Sequence, residues 1–484
     1  MSELINKLTA VMFYSALPLF LPFFYSLAAG DGGWVPIGMS ITLLMVPAIP
    51  YIFFSLLDNL FEMLRSIGRA DAPFNYGRLI SMEKIRRHVE VLTFGEIMVI
   101  TSVAWLLVPA LSIIPYTYFG ASPLDALFES VSGWTSTGLS ALPSLSALPG
   151  SVILFRSITQ WIGGLGIVVL ILTTFRGREA VGFLKAEGRN QTEIGIGKTV
   201  SMLLKVYLAL TVAGIGLLSA SGLGLFDAVN LAFSGISNGG FFPFDSFAFT
   251  DLQRVLLALL MLAGATNFLF YQSIGRGLLD KAFLDEEFVA YASVVAVSVL
   301  LLFFVAGLSP LESFLGVSAA ISGGGFGIVD LSASGQFAIY LLVLLMLGGA
   351  MVGSTTGAIK LWRLITIMKA ILNQVREYFL PSGSVQVVKM NGLPISERMV
   401  VENAVFVFAY VAIFLVASGA FIGAGYDFEH SLFIVSSAMG NVGLSSLAVP
   451  AVGQSGKILL IILMYVGRIE IFPCLAMLRY LMGR

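Results

Sequence analysis

Cysteine and histidine are almost missing from this sequence. Among its 484 residues, Cys474 is the one cysteine, and His88 and His430 are the two histidines. A single cysteine excludes an intramolecular disulfide or a cysteine metal cluster, and neither histidine suggests a metal site. Charge is also scarce, because 11% of the residues are charged against about 25% in soluble domains. The chain is therefore not a water-soluble globule, and the lipid bilayer is its solvent.

Long apolar runs take the place of the missing charge, and 57% of the residues are hydrophobic. Each run approaches the roughly 20 residues that a membrane span requires. The runs lie at 9–29, 36–57, 91–116, 151–175, 199–221, 253–270, 287–308, 336–356, 399–424 and 456–480. They predict an all-α integral membrane protein with about ten spanning helices. The first run has no clear small-residue cleavage site and is interpreted as a retained helix.

Basic and acidic residues alternate along the chain. Lys and Arg concentrate in 58–90, 176–198, 271–286 and 360–398. The positive-inside rule places these segments, with the N-terminus, on the cytoplasmic side of a cell membrane that the chain crosses many times.

The outer segments 117–150, 222–251, 309–337 and 425–456 contain no Lys or Arg but carry nine acids: Asp125, Glu129, Asp227, Asp245, Asp251, Glu312, Asp330, Asp427 and Glu429. Depletion of basic residues from translocated loops explains the missing Lys and Arg. It does not explain the acids. A cation-attracting vestibule explains both, because a cleft lined by one sign of charge concentrates counter-ions.

The acid-rich segments share a pattern that is typical of re-entrant pore loops. In each, an apolar stretch too short to span is followed by small polar residues and glycine. Such backbone is tolerated at membrane depth where it is buried in protein or lines a wet cavity. Aligned on one glycine, the loops read WTSTGL, ISNGGF, ISGGGF and MGNVGL, with the anchor glycines Gly138, Gly240, Gly325 and Gly443.

The spacing around the anchor glycines predicts four repeats. Thirteen residues before them stand Asp125, Asp227, Glu312 and His430, and a carboxylate suits the positive end of a short helix. The anchors are 102, 85 and 118 residues apart, which is room for a helix, a loop and a helix in each unit. We predict four helix–pore-loop–helix repeats around one pore, at 91–178, 198–275, 286–377 and 396–484. An N-terminal two-helix hairpin, 1–60, and a cytoplasmic connector, 61–90, precede them.

Four such loops offer the chemistry that selects a cation. Rings of backbone carbonyls replace the hydration shell of potassium, and glycine permits the backbone dihedrals that such loops need. A single glycine-rich stretch is equally a flexible loop or a helix contact, but four aligned stretches favour a filter. The polar side chains either add oxygens or satisfy nearby backbone groups. The predicted filter residues are Thr135, Ser136, Thr137, Gly138, Ser237, Asn238, Gly239, Gly240, Ser322, Gly323, Gly324, Gly325, Gly440, Asn441, Val442 and Gly443.

A glycine-rich motif opens the helix after the first loop: Gln160-Trp161-Ile162-Gly163-Gly164-Leu165-Gly166. With the anchor glycines, it resembles the TrkH/KtrB/HKT superfamily of potassium transporters, over essentially the whole chain. The extra N-terminal hairpin is similar to the Trk-type members. Glycine at the first filter position is similar to the potassium-selective members, whereas sodium-selective plant relatives typically carry serine there.

This resemblance implies the activity and the partners. The activity is potassium uptake through a selective, gated, channel-like pore, with potassium as the transported substrate, no covalently bound cofactor and no enzyme activity. The partners are a second copy in a homodimer, the lipid bilayer and a cytosolic ring of nucleotide-binding, TrkA-like regulatory subunits. The chain has no Walker motif of its own, and nothing suggests a nucleic acid partner.

A second glycine-rich stretch, 348–357, interrupts the third repeat. Each interior glycine costs a helix roughly 1 kcal/mol relative to alanine, so we expect the helix to break there. The resemblance implies an intramembrane gate beneath the filter, and close helix packing through small residues is the alternative. The predicted gate residues are Gly348, Gly349, Gly353, Ser354, Thr355, Thr356, Gly357 and Lys360.

Arg468 is predicted to lie deep in the membrane, roughly 18 Å into the last span at 1.5 Å per residue. A charge at this depth should face protein or water. An ion pair with Glu470 is the structural alternative, although residues two apart on a helix point to different faces. The resemblance implies that Arg468 is an electrostatic barrier in the pore below the filter. Asn267 lies at an equivalent depth in the second repeat, where helix packing is favoured over pore lining.

A proton- or sodium-coupled potassium symporter is the main rival function, beside a less selective pathway for potassium and sodium. Alternating access predicts inverted repeats and buried ionisable residues. Here the units repeat in one orientation and the deep charge is an arginine, which favours the channel-like pore. An enzyme would need a constellation of catalytic groups, and the predicted spans contain no His or Cys cluster and no paired carboxylates.

Overall fold

A computed structural model describes residues 2–50, 94–174, 196–245, 249–327, 335–381 and 387–482. This part of the chain is helical apart from one two-stranded hairpin, and the predicted all-α fold class is confirmed. The predicted connector, 61–90, lies outside the described residues, as do most of the basic segment 176–198 and Asp330 of the acidic set.

The N-terminal hairpin contains α1 (Ser2–Ala16), α2 (Phe20–Ala29) and α3 (Trp34–Met45), with 3-10 turns at Leu17–Leu19 and Val46–Ala48. Gly30 ends α2 in the left-handed conformation, with φ 67°. In the turn that follows, the Asp31 carboxylate accepts hydrogen bonds from the Gly33 N–H at 3.1 Å and the Ser151 N–H at 2.9 Å. One aspartate therefore closes the turn and fastens the hairpin to the first repeat.

Each repeat begins with a long helix, and a short helix and then a second helical segment follow later in the repeat. The first contains α4 (Phe94–Leu111), α5 (Ile114–Tyr118), α6 (Pro123–Trp134) and α7 (Gly150–Thr174). The second contains α8 (Ile196–Ala220), α9 (Leu225–Ile236), α10 (Asp251–Ala265), α11 (Phe268–Gly275) and α12 (Leu279–Phe283). The third contains α13 (Glu286–Phe304), α14 (Pro310–Ser322), α15 (Gln336–Gly348) and α16 (Leu361–Glu377). The antiparallel strands β1 (Lys389–Met390) and β2 (Leu393–Pro394) lead to the fourth, with α17 (Glu397–Gly423), α18 (Phe428–Met439), a 3-10 turn at Val449–Ala451, α19 (Gln454–Ile469) and α20 (Ile471–Leu481).

The short helices α6, α9, α14 and α18 begin where the sequence predicts. Asp125, Asp227 and Glu312 each stand at the third residue of their helix, where a carboxylate suits the positive end of the helix dipole. Ser309 and Glu312 form a capping box at the start of α14. In α18 the third residue is His430, and the acid of the first turn is Glu429 instead.

Three of the predicted spans are not continuous helices, and one of these breaks, after Gly348, was expected from its glycines. The run at 253–270 bends by 93° between α10 and α11, and the run at 456–480 bends by 105° between α19 and α20. The run at 336–356 ends as a helix at Gly348. Among the described residues, five helices are long and apolar enough to cross a membrane, or up to seven if each bent pair counts as one span.

Apolar side chains cover both the interior and the outer surface of the bundle. Two clusters of buried hydrophobic residues share a border at Trp161, Leu165, Ile215 and Val466. Outside them, large apolar side chains face away from the protein, among them Phe304, Phe408 and Val416, which are 73%, 77% and 75% exposed. Exposed apolar surface on this scale fits a bilayer and not water.

Candidate functional site

The anchor glycines of the four loops form a closed ring, here called the glycine ring (Gly138, Gly240, Gly325 and Gly443). Each glycine Cα faces the carbonyl group that precedes the next glycine of the ring. Gly138 faces Gly239, Gly240 faces Gly324, Gly325 faces Val442, and Gly443 faces Thr137. At all four positions an added Cβ would lie closer than 3.0 Å to this neighbouring backbone. The close approach of four loops therefore excludes any side chain here.

Positive φ angles recur at every second residue of these loops. The ring glycines have φ of 95°, 74°, 46° and 94° in chain order. Two residues earlier, Ser136, Asn238, Gly323 and Asn441 have φ of 52°, 54°, 73° and 53°. Backbone that alternates in handedness turns successive N–H groups to one side of the chain and leaves the carbonyl groups to the other. Each loop therefore can present a row of carbonyl oxygens.

The polar side chains of the loops bond to the surrounding protein. Thr135 Oγ1 donates to the Val131 carbonyl at 2.7 Å, and Ser136 Oγ donates to the Gln160 carbonyl at 2.9 Å. Asn441 Nδ2 donates to the Met464 carbonyl at 2.8 Å. These three side chains satisfy nearby backbone carbonyl groups.

Serine hydroxyls on two short helices accept hydrogen bonds from the N–H groups of two ring glycines. Ser132 Oγ accepts from the Gly138 N–H, and Ser437 Oγ accepts from the Gly443 N–H, both at 3.0 Å. In the third loop Ser322 Oγ accepts from the Gly324 N–H at 3.0 Å. The N–H groups are thus engaged on the outer side of these loops.

Glycines on the second helices of three repeats bring those helices against the short helices. An added Cβ at Gly163, Gly264 or Gly467 would overlap the last-turn carbonyl of the neighbouring short helix, at Trp134, Ile236 and Met439 respectively. Sequence reasoning missed this set. Its signal is the regular distance from the anchor glycine, 25, 24 and 24 residues in the three repeats.

A buried ion pair within the first repeat also contacts the second repeat. Arg156 NH2 lies 2.6 Å from Glu129 Oε1, and both side chains are at most 2% exposed. Arg156 also donates to the Phe242 carbonyl at 3.0 Å and stacks on the Phe241 ring at 4.0 Å. Glu129 accepts in addition from Ser140 Oγ at 3.0 Å.

This pair, together with one other, reduces the negative charge that the sequence predicts for the vestibule. Glu129 is neutralised inside the protein by Arg156. Asp125 pairs with Lys457 of α19 at 2.6 Å, a base that lies just beyond the segments without Lys or Arg. Asp245, in contrast, keeps its charge: partial burial raises its pKa, but hydrogen bonds from Ser144, Leu145 and Ser146 outweigh this and hold the pKa at about 2. The net charge around the loops is less negative than the count of acids indicates.

The predicted break after Gly348 is a loop, 349–360, that leaves α15 and returns to it. On its way back, the Ile359 N–H donates to the Leu347 carbonyl at 3.1 Å and the Lys360 N–H donates to the Gly348 carbonyl at 3.0 Å. Ala358 and Lys360 have φ of 66° and 78°, a region that costs a residue with a side chain roughly 1 to 3 kcal/mol. The loop is compact and its end is strained.

Contacts from several repeats hold this loop. Thr355 Oγ1 donates to the Gly264 carbonyl at 3.0 Å and accepts from Asn238 Nδ2 of the second loop at 2.8 Å. Glu287 of α13, 3% exposed, accepts from the Val352 N–H at 2.7 Å. Lys360 Nζ donates to Thr356 Oγ1 at 2.7 Å. The 349–360 loop therefore lies directly against the second of the four loops.

Arg468 stands at the end of α19 and faces protein groups, as its depth requires. Its guanidinium donates to the Thr355 carbonyl at 2.7 Å, to the Gly164 carbonyl at 3.2 Å and to the Gly163 carbonyl. It thereby joins the 349–360 loop to the glycine-rich motif of α7. The alternative ion pair with Glu470 is wrong.

Glu470 pairs instead with Arg363 of α16, through two hydrogen bonds of 3.0 and 2.7 Å. Glu470 has φ 66° at the bend between α19 and α20. Asn267 occupies the other bend, where its Oδ1 accepts from the Leu269 N–H at 2.9 Å and caps α11. Asn267 thus has a structural role, in line with the packing interpretation.

Comparisons with known proteins find relatives among cation transporters. The family of TrkH, described as cation transport protein, matches residues 82–276 and 291–482. An uncharacterised cation transporter of Methanocaldococcus jannaschii is 32% identical over 399 residues, which are 78% of this chain and 81% of that protein. The Trk system potassium uptake protein TrkH of Salmonella typhimurium is 28% identical over 421 residues, which are 81% of this chain and 86% of that protein.

A solved structure has the same fold. The crystal structure of the potassium transporter TrkH from Vibrio parahaemolyticus matches with a TM-score of 0.80 and 23% identity, covering 100% of this chain and 99% of that one. Because the family match extends over well more than half of the sequence, this chain belongs to the TrkH family of cation transport proteins.

Proposed function

We propose that this protein takes up potassium across the cell membrane through a selective pathway at the glycine ring. One observation carries the proposal: four loops from four repeats close a ring in which every anchor glycine abuts the backbone of the next loop. A ring of carbonyl groups from four loops is the ligand set that replaces water around potassium. Relatives named as potassium uptake proteins support the choice of ion.

The 349–360 loop is proposed as the gate and Arg468 as a barrier beneath the ring. The loop touches the second of the four loops through Thr355 and Asn238, and Arg468 bonds to it at the Thr355 carbonyl. A cation that passes the ring would meet a fixed positive charge, which raises the barrier to conduction at that point. Movement of the loop would have to break the Arg468 contact.

The assembly around this pathway is proposed from the family. Two copies form a homodimer with one pathway in each, and a cytosolic nucleotide-binding ring controls the gate. The basic segments and the N-terminus face the cytoplasm, and the short helices begin on the outer side. With this orientation the negative ends of the short helices point inward and lower the cost of a cation below the ring.

Cation flux into proteoliposomes of the purified protein tests the proposal. Potassium and rubidium should enter well ahead of sodium and lithium. A Gly240→Ser variant should lose most of this preference, because φ of 74° and the Gly324 carbonyl 2.9 Å from an added Cβ leave no room for a side chain. Gly216→Ser is the matched control, since an added Cβ there meets nothing within 4 Å.

Two results would contradict the proposal. Equal entry of all four cations in the wild type would replace the selective pathway by a less selective one. Potassium entry that requires a proton or sodium gradient would favour the coupled symporter.

A further inference from the structure

Gln160, the first residue of the glycine-rich motif, makes two side-chain hydrogen bonds to the backbone of the second loop. Its Nε2 donates to the Gly239 carbonyl at 2.5 Å, and its Oε1 accepts from the Phe241 N–H at 3.2 Å. The side chain is fully buried. Because a carbonyl only accepts and an N–H only donates, these partners fix the orientation of the amide. The two hydrogen bonds of Gln160 thus hold the residues directly before and after the ring residue Gly240.

The Gly239 carbonyl is part of the ring itself. It is the carbonyl that faces Gly138 of the first loop. The backbone carbonyl of Gln160 accepts from Ser136 of that same first loop. One residue of α7 thus fixes the second loop through its side chain and the first loop through its main chain.

The corresponding residue differs in other repeats. Gln160 stands three residues before Gly163, and Met261 stands three residues before Gly264. Met261 packs against Gly324, which holds the place of Gly239 in the third loop. The same position before Gly467 is Met464, whose carbonyl accepts from Asn441 as that of Gln160 accepts from Ser136. A methionine fills this space without donating a hydrogen bond.

We propose that Gln160 is a positioning residue that sets the discrimination between potassium and sodium by holding the Gly239 carbonyl, an inference that rests on the proposed function. Selectivity depends on the number, field strength and flexibility of the coordinating carbonyl groups. An N–H bonded to a carbonyl weakens its field toward an ion and resists its rotation. Without this bond the Gly239 carbonyl is free to turn toward a smaller ion. Loss of the hydrogen bond from Gln160 therefore favours sodium.

Gln160→Met is the direct test, because methionine nearly preserves the volume of the side chain and is the residue of two other repeats. Potassium and sodium flux are measured in the same proteoliposomes. The ratio of potassium to sodium flux should fall about tenfold, as the loss of one hydrogen bond implies, while potassium flux itself persists. Gln374→Met makes the same chemical change at an exposed site on α16 and should leave the ratio unchanged.

Gln160→Glu gives a second readout within a single folded variant. A protonated carboxyl donates and accepts as the amide does, whereas a carboxylate only accepts. The flux ratio of this variant should rise as the pH falls, and the ratio of the wild type should stay flat over the same range.

The outcomes separate this inference from the proposed function. A wild type without preference for potassium overturns both. A selective wild type with an unchanged ratio in Gln160→Met, or with an equal loss of both fluxes, overturns the positioning role alone. A ratio of potassium to sodium flux that does not change with pH in Gln160→Glu also overturns the positioning role alone.

Discussion

At the scale of single residues, the sequence identifies the glycines of the ring but not the contacts of the acids around them. Alignment on one glycine located Gly138, Gly240, Gly325 and Gly443, because a position that admits no Cβ must be glycine in every repeat. The acids were harder to interpret. Glu129 was expected in a vestibule, but it lies buried against Arg156, 27 residues further along the chain. A count of charges along a sequence does not say which charge a neighbouring helix neutralises.

The Glu129 and Arg156 pair gives a prediction about stability. Arg156→Met should destabilise the protein by about 3 to 5 kcal/mol, because it leaves a buried carboxylate without its partner. Thermal unfolding of the purified protein in detergent measures the loss. The double variant Glu129→Gln, Arg156→Met should unfold at a higher temperature than Arg156→Met alone, since it removes the orphaned charge. A double variant that is no more stable than the single one would show that the charge is not the cause.

At the scale of elements, the sequence predicted the short helices and the break at Gly348, since each has a local cause. The bend at Glu470 has no comparable local cause. The left-handed conformation of Glu470 is stabilised by Arg363, 107 residues away, through two hydrogen bonds. A residue that bends a helix by a distant contact is invisible to propensity and periodicity. For this reason the run at 456–480 reads as continuous.

The 349–360 loop carries a prediction about Glu287. This side chain accepts from the Val352 N–H at 2.7 Å, so it fastens the loop to α13. Glu287→Leu removes this interaction, and if the loop obstructs the pathway, potassium flux without any added partner should rise several-fold. Proteoliposome flux measures it, and gel filtration verifies that the variant is folded. Glu402→Leu, on the exposed face of α17, is the control, and unchanged or lower flux in folded Glu287→Leu would contradict a gating role.

At the scale of the whole molecule, four repeats must close into a ring, and the last must meet the first. Asn441 Nδ2 of the fourth loop donates to Thr137 Oγ1 of the first at 2.9 Å. Tyr465 of α19 donates to the Ser102 carbonyl of α4 at 2.9 Å. The sequence predicted the number of repeats from their spacing, but it could not predict these contacts, because their partners are separated by more than 300 residues.

The pair of Lys457 and Asp125 makes this closure dependent on pH. Partial burial raises the pKa of Asp125, but the hydrogen bonds from Lys457 and Ser122 and the Lys457 charge outweigh it and lower the pKa. A lowered pKa in the folded state stabilises the protein above the ordinary aspartate pKa of about 3.9, and this contribution is lost as the pH falls through the folded pKa. Lys457→Met should therefore lower the unfolding temperature at pH 7, and its difference from the wild type should shrink below about pH 4.

Unfolding curves in detergent at pH 7 and at successively lower pH values measure this difference. Arg398→Met is the matched control, because Arg398 pairs with Glu402 while 89% exposed, and an exposed pair of this kind contributes at most about 0.5 kcal/mol. Its unfolding temperature should stay close to that of the wild type at pH 7. If the Lys457→Met difference instead persists undiminished below the aspartate range, the lysine stabilises the closure through packing of its apolar stem, and its charge on Asp125 is not what joins the fourth repeat to the first.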